Sequence, residues 1–123
     1  MERYEAPIKD MNFVLTQLIN FENYLKSVNN NEITTDSVKM IIEEASKFAT
    51  EELDGINHIG DQEGIKLENG IVRMPETFVK AYKKFVKNGW FSIIGENKYG
   101  GQNLPLSVLV IINEIWQSAN ISF

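Results

Sequence analysis

The sequence predicts an all-α fold, a helical bundle of about four to six helices with one short β-hairpin. Four segments repeat apolar residues at the spacing of a helix face, every three to four positions. A single Asn-Gly pair, Asn69-Gly70, separates two short alternating segments and predicts a tight hairpin turn, because a type I′ turn needs positive φ at both central residues. The 123 residues are enough for one folded unit with its own core.

Residues 1–36 are predicted to form an N-terminal extension that carries the first helix. Residues 4–11 favour an extended lead-in, because Pro7 fixes its own φ and disfavours helix at Ala6. An apolar stripe then predicts a helix from about residue 13 to residue 25. The asparagine-rich stretch 28–32 is expected to end it, since Asn side chains compete for backbone hydrogen bonds.

The strongest predicted helix follows residues 34–37, which are rich in N-capping side chains. It belongs to a second region, residues 37–123, that is expected to fold as one unit with the extension. Gly55 is predicted to end this helix, because glycine is common just after helix ends. Residues 56–64 are then predicted to be an irregular acidic loop that leads into the hairpin.

The last part of the chain is predicted to hold two helices joined by a loop. Pro75 suits the start of a helix with one aromatic face and one lysine face, and Gly89 ends it. The loop carries Gly100-Gly101, a pair that indicates positive φ or a close backbone approach. Pro105 opens the final helix, which is apolar on almost every side and is therefore expected to be buried.

Composition and charge exclude several classes of function. The net charge of −5 argues against a nucleic-acid partner, because phosphate binding needs a concentrated basic face. The absence of cysteine excludes disulfides, thiolate metal sites and cysteine nucleophiles, and it fits an intracellular protein. The first residues lack the pattern of a signal peptide, and the most apolar run, 108–112, is too short to cross a bilayer, so no membrane partner is expected.

Glu114 is the main candidate for acid–base chemistry. It stands within the apolar last helix, and a buried carboxylate has a raised pKa that suits a general base. The alternative, which is the commoner case, is a structural carboxylate held by an arginine or by backbone amides.

The remaining candidates are weaker. His58 is the only histidine and is expected on a loop or surface, and the acidic stretch around it lacks the alternating ligands of a calcium loop, so no metal site is predicted. Gly100-Gly101 follows no strand and matches neither dinucleotide nor P-loop spacing. Four lysines, at positions 80, 83, 84 and 87, are expected to be a solvated face rather than a phosphate site. No catalytic constellation is complete.

Several short motifs span nearly the whole chain: residues 4–13, 48–53 with Asn57, 60–64, 78–82, Gly89-Trp90, 99–102, and Glu114 with 118–120. In their order and spacing these motifs resemble the N-terminal helical domain of the acyl-CoA dehydrogenase family, most closely a bacterial branch that includes methylmercaptopropionyl-CoA dehydrogenases. Two positions depart from the family pattern, because Gly55 stands where a proline is frequent and Asn103 where a third glycine is frequent.

The resemblance implies a domain, here residues 37–123, of an enzyme that oxidises the α,β bond of an acyl-CoA thioester. In this family FAD lies between other domains, and the catalytic glutamate lies downstream. The chain is therefore expected to be a fragment that has no catalytic residue, binds no FAD by itself and is inactive alone. Asn120, Ser122 and Phe123 match the start of the family's pocket-lining segment and are the predicted substrate contacts. The complete enzyme is expected in the cytoplasm, as a homo-oligomer with an electron-transfer acceptor.

A second hypothesis from a different class is a stand-alone helical module that binds a protein and catalyses nothing. A reading frame that stops after Phe123 would favour it over the fragment. In either case the last helix is expected to leave an apolar docking face around Leu106, Val110 and residues 121–123, through which the chain self-associates.

Overall fold

A computed structural model describes residues 3–28, 30 and 32–123. These residues form six α-helices and one two-stranded antiparallel sheet, which confirms the predicted helical class. The helices are α1 (Ile8–Phe13), α2 (Phe21–Ser27), α3 (Thr35–Phe48), α4 (Asp54–Glu63), α5 (Glu76–Lys87) and α6 (Leu106–Ala119), and the strands are β1 (Lys66–Glu68) and β2 (Ile71–Arg73).

The N-terminal extension differs from its prediction in two ways. Helix α1 begins at Ile8, directly after Pro7, so the extended lead-in is shorter than expected, because proline suits the start of a helix as well as an extended segment. The single helix predicted from residue 13 is also wrong. The chain passes through a π-helical segment, Val14–Leu18, and then breaks at Asn20, whose φ of 51° only glycine and asparagine adopt easily. Residues 29 and 31 of the predicted asparagine stretch lie outside the described residues.

Helix α3 begins with the predicted cap. The Thr34 hydroxyl accepts from the Ser37 amide, and the Ser37 hydroxyl accepts from the Thr34 amide, each at 3.0 Å, so two amides at the helix start are satisfied.

The prediction that Gly55 ends this helix is wrong, and so is the acidic loop. The chain continues through a second π-helical segment, Ala49–Leu53, into α4, which ends at Gly64 with φ 62°. Gly55 is not among the positive-φ glycines. Glycine permits a left-handed end without requiring one, and α4 has no buried residue, so it shows little apolar periodicity.

The hairpin is confirmed at the predicted turn. Leu67 pairs with Val72, and Asn69 and Gly70 both have positive φ, at 51° and 76°. All six strand residues are exposed, so the hairpin projects from the helical body.

The loop between α5 and α6 needs glycine for two separate reasons. Gly89 and Gly100 have φ of 78° and 81°, so they occupy left-handed positions. Gly101 does not, but its backbone lies so close to Gly95 that a Cβ at residue 101 would overlap the Gly95 carbonyl. Asn103, which stands where the family frequently has a third glycine, has φ 52°, a left-handed conformation that asparagine tolerates better than most residues.

The core lies mainly between α3, α6 and the π-helical segment Ala49–Leu53. Helix α6 is buried on one side only, and it leaves open the apolar positions predicted to remain uncovered, Leu106 and Val110, which are 64% and 58% exposed. The predicted boundary between residues 36 and 37 falls in the first turn of α3 and stays a prediction. Fully buried side chains include Leu15 and Phe21 from the N-terminal region, Val38, Ile42, Leu53, Ile93, Val108, Ile112 and Ile115.

Candidate functional site

The three predicted substrate contacts lie together in the turn that follows α6. Asn120 is 3% exposed, and its side-chain amide donates to the Leu53 carbonyl at 3.0 Å. Its side-chain oxygen accepts from the backbone amides of Ser122 and Phe123, both at 3.1 Å. The side chain therefore closes the turn and joins it to the end of the Ala49–Leu53 segment.

Phe123 brings this turn against α5. Its ring centroid lies 6.1 Å from that of Phe78 and 5.8 Å from that of Phe85. Phe85 in turn lies 4.9 Å, edge to face, from Trp116 of α6. Such aromatic pairs contribute packing beyond their buried area, so the position of Phe123 is coupled to the core, whereas Ser122 is exposed.

A small apolar groove of about 210 Å³ opens beside this turn. Phe123 forms one side of it, and no charged residue contributes to its lining. The groove is suited to an aliphatic or aromatic group rather than to a phosphate. The other lining residues come from the start and outer face of α5 and from the segment just before it: Met74, Phe78, Val79 and Tyr82.

A second, shallower groove of about 490 Å³ follows the open face of α6. Glu114 lines it and is exposed, so the prediction of a buried general base at this position is wrong. The reason is that the core-facing positions of α6 are Ile112, Ile115 and Trp116, and residue 114 faces away from them. Val110 and Ile121, which are 58% and 78% exposed, give the same face its apolar character.

Tyr4 reaches this region from the other end of the chain, which sequence reasoning missed. Its backbone amide donates to the Asp54 carboxylate at 3.1 Å, and its carbonyl accepts from the Thr50 hydroxyl at 2.9 Å. Burial raises the pKa of the Tyr4 phenol above 10.0; the Ser118 hydroxyl opposes this shift and the charge of Glu114 adds to it. No local pattern predicts these contacts, because they join residues about 50 positions apart.

The other sequence candidates are placed as solvated residues. His58 is exposed on α4, which confirms the expected surface position, although it lies on a helix and not in a loop. Lys80 pairs with Glu76 at 2.8 Å, and Lys84 with Glu52 at 2.7 Å. The exposed lysines of α5 thus form a solvent face with short-range ion pairs, as predicted.

The loop glycines do not form a phosphate cradle. The Gly100 amide donates to Asn97 at 3.0 Å and the Gly101 amide to Glu96 at 3.1 Å, so both are used within the loop. With these amides already bound, the loop does not fit the phosphates of a flavin. Within the described ranges, no three acidic or histidine side chains gather as metal ligands.

The fold and the site define a mostly helical unit whose last helix ends in a turn closed by a buried asparagine. None of its described helices combines the length and apolarity needed to span a bilayer. No protein-family model matches the chain. Over 120 residues, however, it is 36% identical to a 3-methylmercaptopropionyl-CoA dehydrogenase from Ruegeria pomeroyi.

That alignment includes 98% of this chain but only 20% of the Ruegeria enzyme, so the chain spans about a fifth of the length of the relative. The similarity supports an acyl-CoA dehydrogenase-like relationship.

Proposed function

We propose that this chain is the N-terminal helical domain of a FAD-dependent acyl-CoA dehydrogenase, with residues 1–36 as an extension and residues 37–123 as the domain proper. The observation that carries the proposal is the 36% identity, which extends over 98% of the chain. The helical fold with a single hairpin agrees with the fold that the sequence resemblance implied.

The proposed reaction of the complete enzyme is the α,β-dehydrogenation of an acyl-CoA thioester. The relative is named for such a thioester, 3-methylmercaptopropionyl-CoA. FAD and the catalytic base come from other parts of the enzyme, which is proposed to be a cytoplasmic homo-oligomer that passes electrons to a separate acceptor. The chain described here contributes binding surface and is inactive alone.

The proposed contribution to substrate binding comes from the turn of Asn120, Ser122 and Phe123, in which Ser122 and Phe123 are the side chains proposed to reach the substrate. Two properties of the turn support this assignment. The Ser122 side chain is exposed and can donate or accept a hydrogen bond, and Phe123 lines an apolar groove of a size that accepts a short aliphatic group. An acyl thioester can accept a hydrogen bond at its carbonyl and make apolar contacts along its acyl chain, so it matches these two groups.

A stand-alone interaction module is the second candidate. The observation that favours it is the apolar open face of α6, where Leu106, Val110 and Ile121 are each more than half exposed. Contiguous apolar surface on a monomer often marks an interface. In the enzyme proposal the same face contacts other domains. The two candidates therefore differ in whether the complete protein has catalytic activity.

Steady-state kinetics on the complete reading-frame product test the contribution to the pocket. Phe123→Ala and Ser122→Ala are expected to raise the KM for acyl-CoA about tenfold or less, since each removes one proposed contact with the substrate. Met40→Ala, which truncates an exposed apolar side chain on α3, is the matched control and is expected to leave KM unchanged. Unchanged KM in both turn variants would contradict the assignment of these residues.

A further inference from the structure

The structure assigns Asn120 to a positioning role: we infer that it holds Ser122 and Phe123 in place and does not itself contact the ligand. The identity of that ligand as an acyl-CoA rests on the proposed function. The positioning role rests only on the hydrogen bonds and burial of the turn, so it can be tested without any substrate.

The side-chain oxygen of Asn120 has no capacity left for a ligand. An amide oxygen has two lone pairs, and both are used here, by the amides of Ser122 and Phe123 at 3.1 Å. With 3% of the residue exposed, a ligand has no direct access to the remaining side-chain N–H. A group with this environment stabilises a backbone conformation, as Asx turns do.

Asn120 is bonded to a fully buried part of the fold. Leu53, whose carbonyl accepts from Asn120, is 0% exposed and lies at the end of the Ala49–Leu53 segment. The same short stretch also holds the N-terminal segment, because Thr50 and Asp54 bind the carbonyl and amide of Tyr4. The turn after α6 is thus hydrogen-bonded to Leu53, 67 positions earlier in the chain.

The three residues of the turn therefore have different roles. Asn120 fixes the backbone of residues 122 and 123, and this places the Phe123 ring against Phe85 and along the apolar groove. Ser122, with its amide bound, presents its side chain to solvent. The Phe123 amide also donates to the backbone carbonyl of Asn120, at a longer 3.3 Å. Loss of the side-chain oxygen leaves only this longer bond, which is expected not to hold the turn by itself, even where α6 stays folded.

NMR of the labelled 14.1 kDa chain separates positioning from general stability. Asn120→Asp keeps the oxygens that accept from residues 122 and 123 but lacks the amide that donates to Leu53. Asn120→Ala removes both functions. The readouts are the ¹⁵N heteronuclear NOE of residues 122 and 123 and the ring–ring contact between Phe123 and Phe85. Global stability is measured in parallel by urea denaturation.

Both variants are expected to be less stable than the parent, because both leave the Leu53 carbonyl without its donor, and Asn120→Asp in its ionised form also sets a buried carboxylate oxygen against that carbonyl. The readouts for Asn120→Asp are therefore taken at acidic pH as well, where the protonated carboxyl can donate to the carbonyl. Only Asn120→Ala should lose the ring contact and give the NOE values of a disordered chain end, whereas Asn120→Asp should keep both. Gln117→Ala, at an exposed residue near the end of α6, is the matched control and should change neither the ring contact nor the NOE values.

Two results would overturn the positioning role: an intact ring contact in Asn120→Ala, or its loss in Asn120→Asp as well. Should Asn120→Ala not fold, Asn120→Leu replaces it, since leucine fills the buried space without accepting a hydrogen bond, and the same readouts decide. Because no acyl-CoA is used, a failure of the enzyme proposal would leave this result unchanged, and the reverse also holds.

Discussion

The aromatic ring of Phe78 lies directly over Gly60, so closely that a Cβ at residue 60 would overlap it. Gly60 belongs to α4 and Phe78 to α5, and Phe78 is 5% exposed. The glycine thus allows these two helices to approach on either side of the hairpin. Phe78 also lies beside Phe123, so this contact supports one wall of the apolar groove.

Gly60→Ala is therefore expected to destabilise the fold. The added methyl group must displace a buried ring, and overpacking of this kind costs about 1–3 kcal/mol of unfolding free energy. Urea denaturation followed by circular dichroism measures the change. A variant as stable as the parent would show that α4 and α5 are farther apart than described.

Gly55→Ala should have the opposite effect. Residue 55 lies within helix α4 and does not have positive φ. Apart from its chain neighbours and the helix's own backbone, no heavy atom lies within 4 Å of the point that a Cβ would occupy. Alanine there should raise the unfolding free energy by about 0.5–1 kcal/mol, the usual difference between the two residues in a helix. Gly89→Ala is the control, since its φ of 78° makes alanine unfavourable. Destabilisation by Gly55→Ala would instead support the helix end that the sequence predicts at Gly55.

The elements that the sequence predicted correctly are those determined by nearby residues. Asn69-Gly70 encodes its turn through its own φ preferences, and the Thr34 cap is completed by Ser37, three positions later. Helix α4 was missed because it is polar and contains two glycines, so neither its periodicity nor its composition indicates a helix.

Residues 120, 122 and 123 lie together because they are neighbours in sequence, and their role as substrate contacts stays a prediction. The bond from Asn120 to Leu53 joins residues 67 positions apart, and no spacing rule predicts it. The prediction that Glu114 is buried failed because nearly every position of α6 is apolar, so the sequence does not indicate which face of the helix packs on the core. That face is chosen by packing against α3.

Tyr4 should make stability depend on alkaline pH. Because its pKa is raised above 10.0 in the folded state, chiefly by burial, its contribution is fully present below pH 10.0 and is lost as the pH rises through the folded pKa. Urea unfolding of the parent and Tyr4→Phe is compared at about pH 8 and about pH 11. The parent should lose more stability than the variant over this interval. Equal losses would show that the phenol is solvated.

The open face of α6 should promote weak self-association. Val110 is 58% exposed beside other apolar residues, and its contact with a second copy would bury apolar surface, at about 25 cal/mol per Å² before the entropy of association is subtracted. Sedimentation over a concentration series should show association that Val110→Glu weakens. Met40→Glu, at a 66% exposed residue of α3, is the matched control and should not weaken it. A monomer at all concentrations would contradict this prediction.

The proposed complete protein is a flavoenzyme that acts on acyl-CoA thioesters, with this chain as one part of it. The direct measurement compares the 123-residue chain with the product of the complete reading frame, in flavin absorbance and in acyl-CoA-dependent reduction of a dye acceptor. The complete product is expected to contain flavin and reduce the dye, and the 123-residue chain to do neither. A complete product without flavin or acyl-CoA oxidation, or catalysis by the 123-residue chain itself, would contradict the claim.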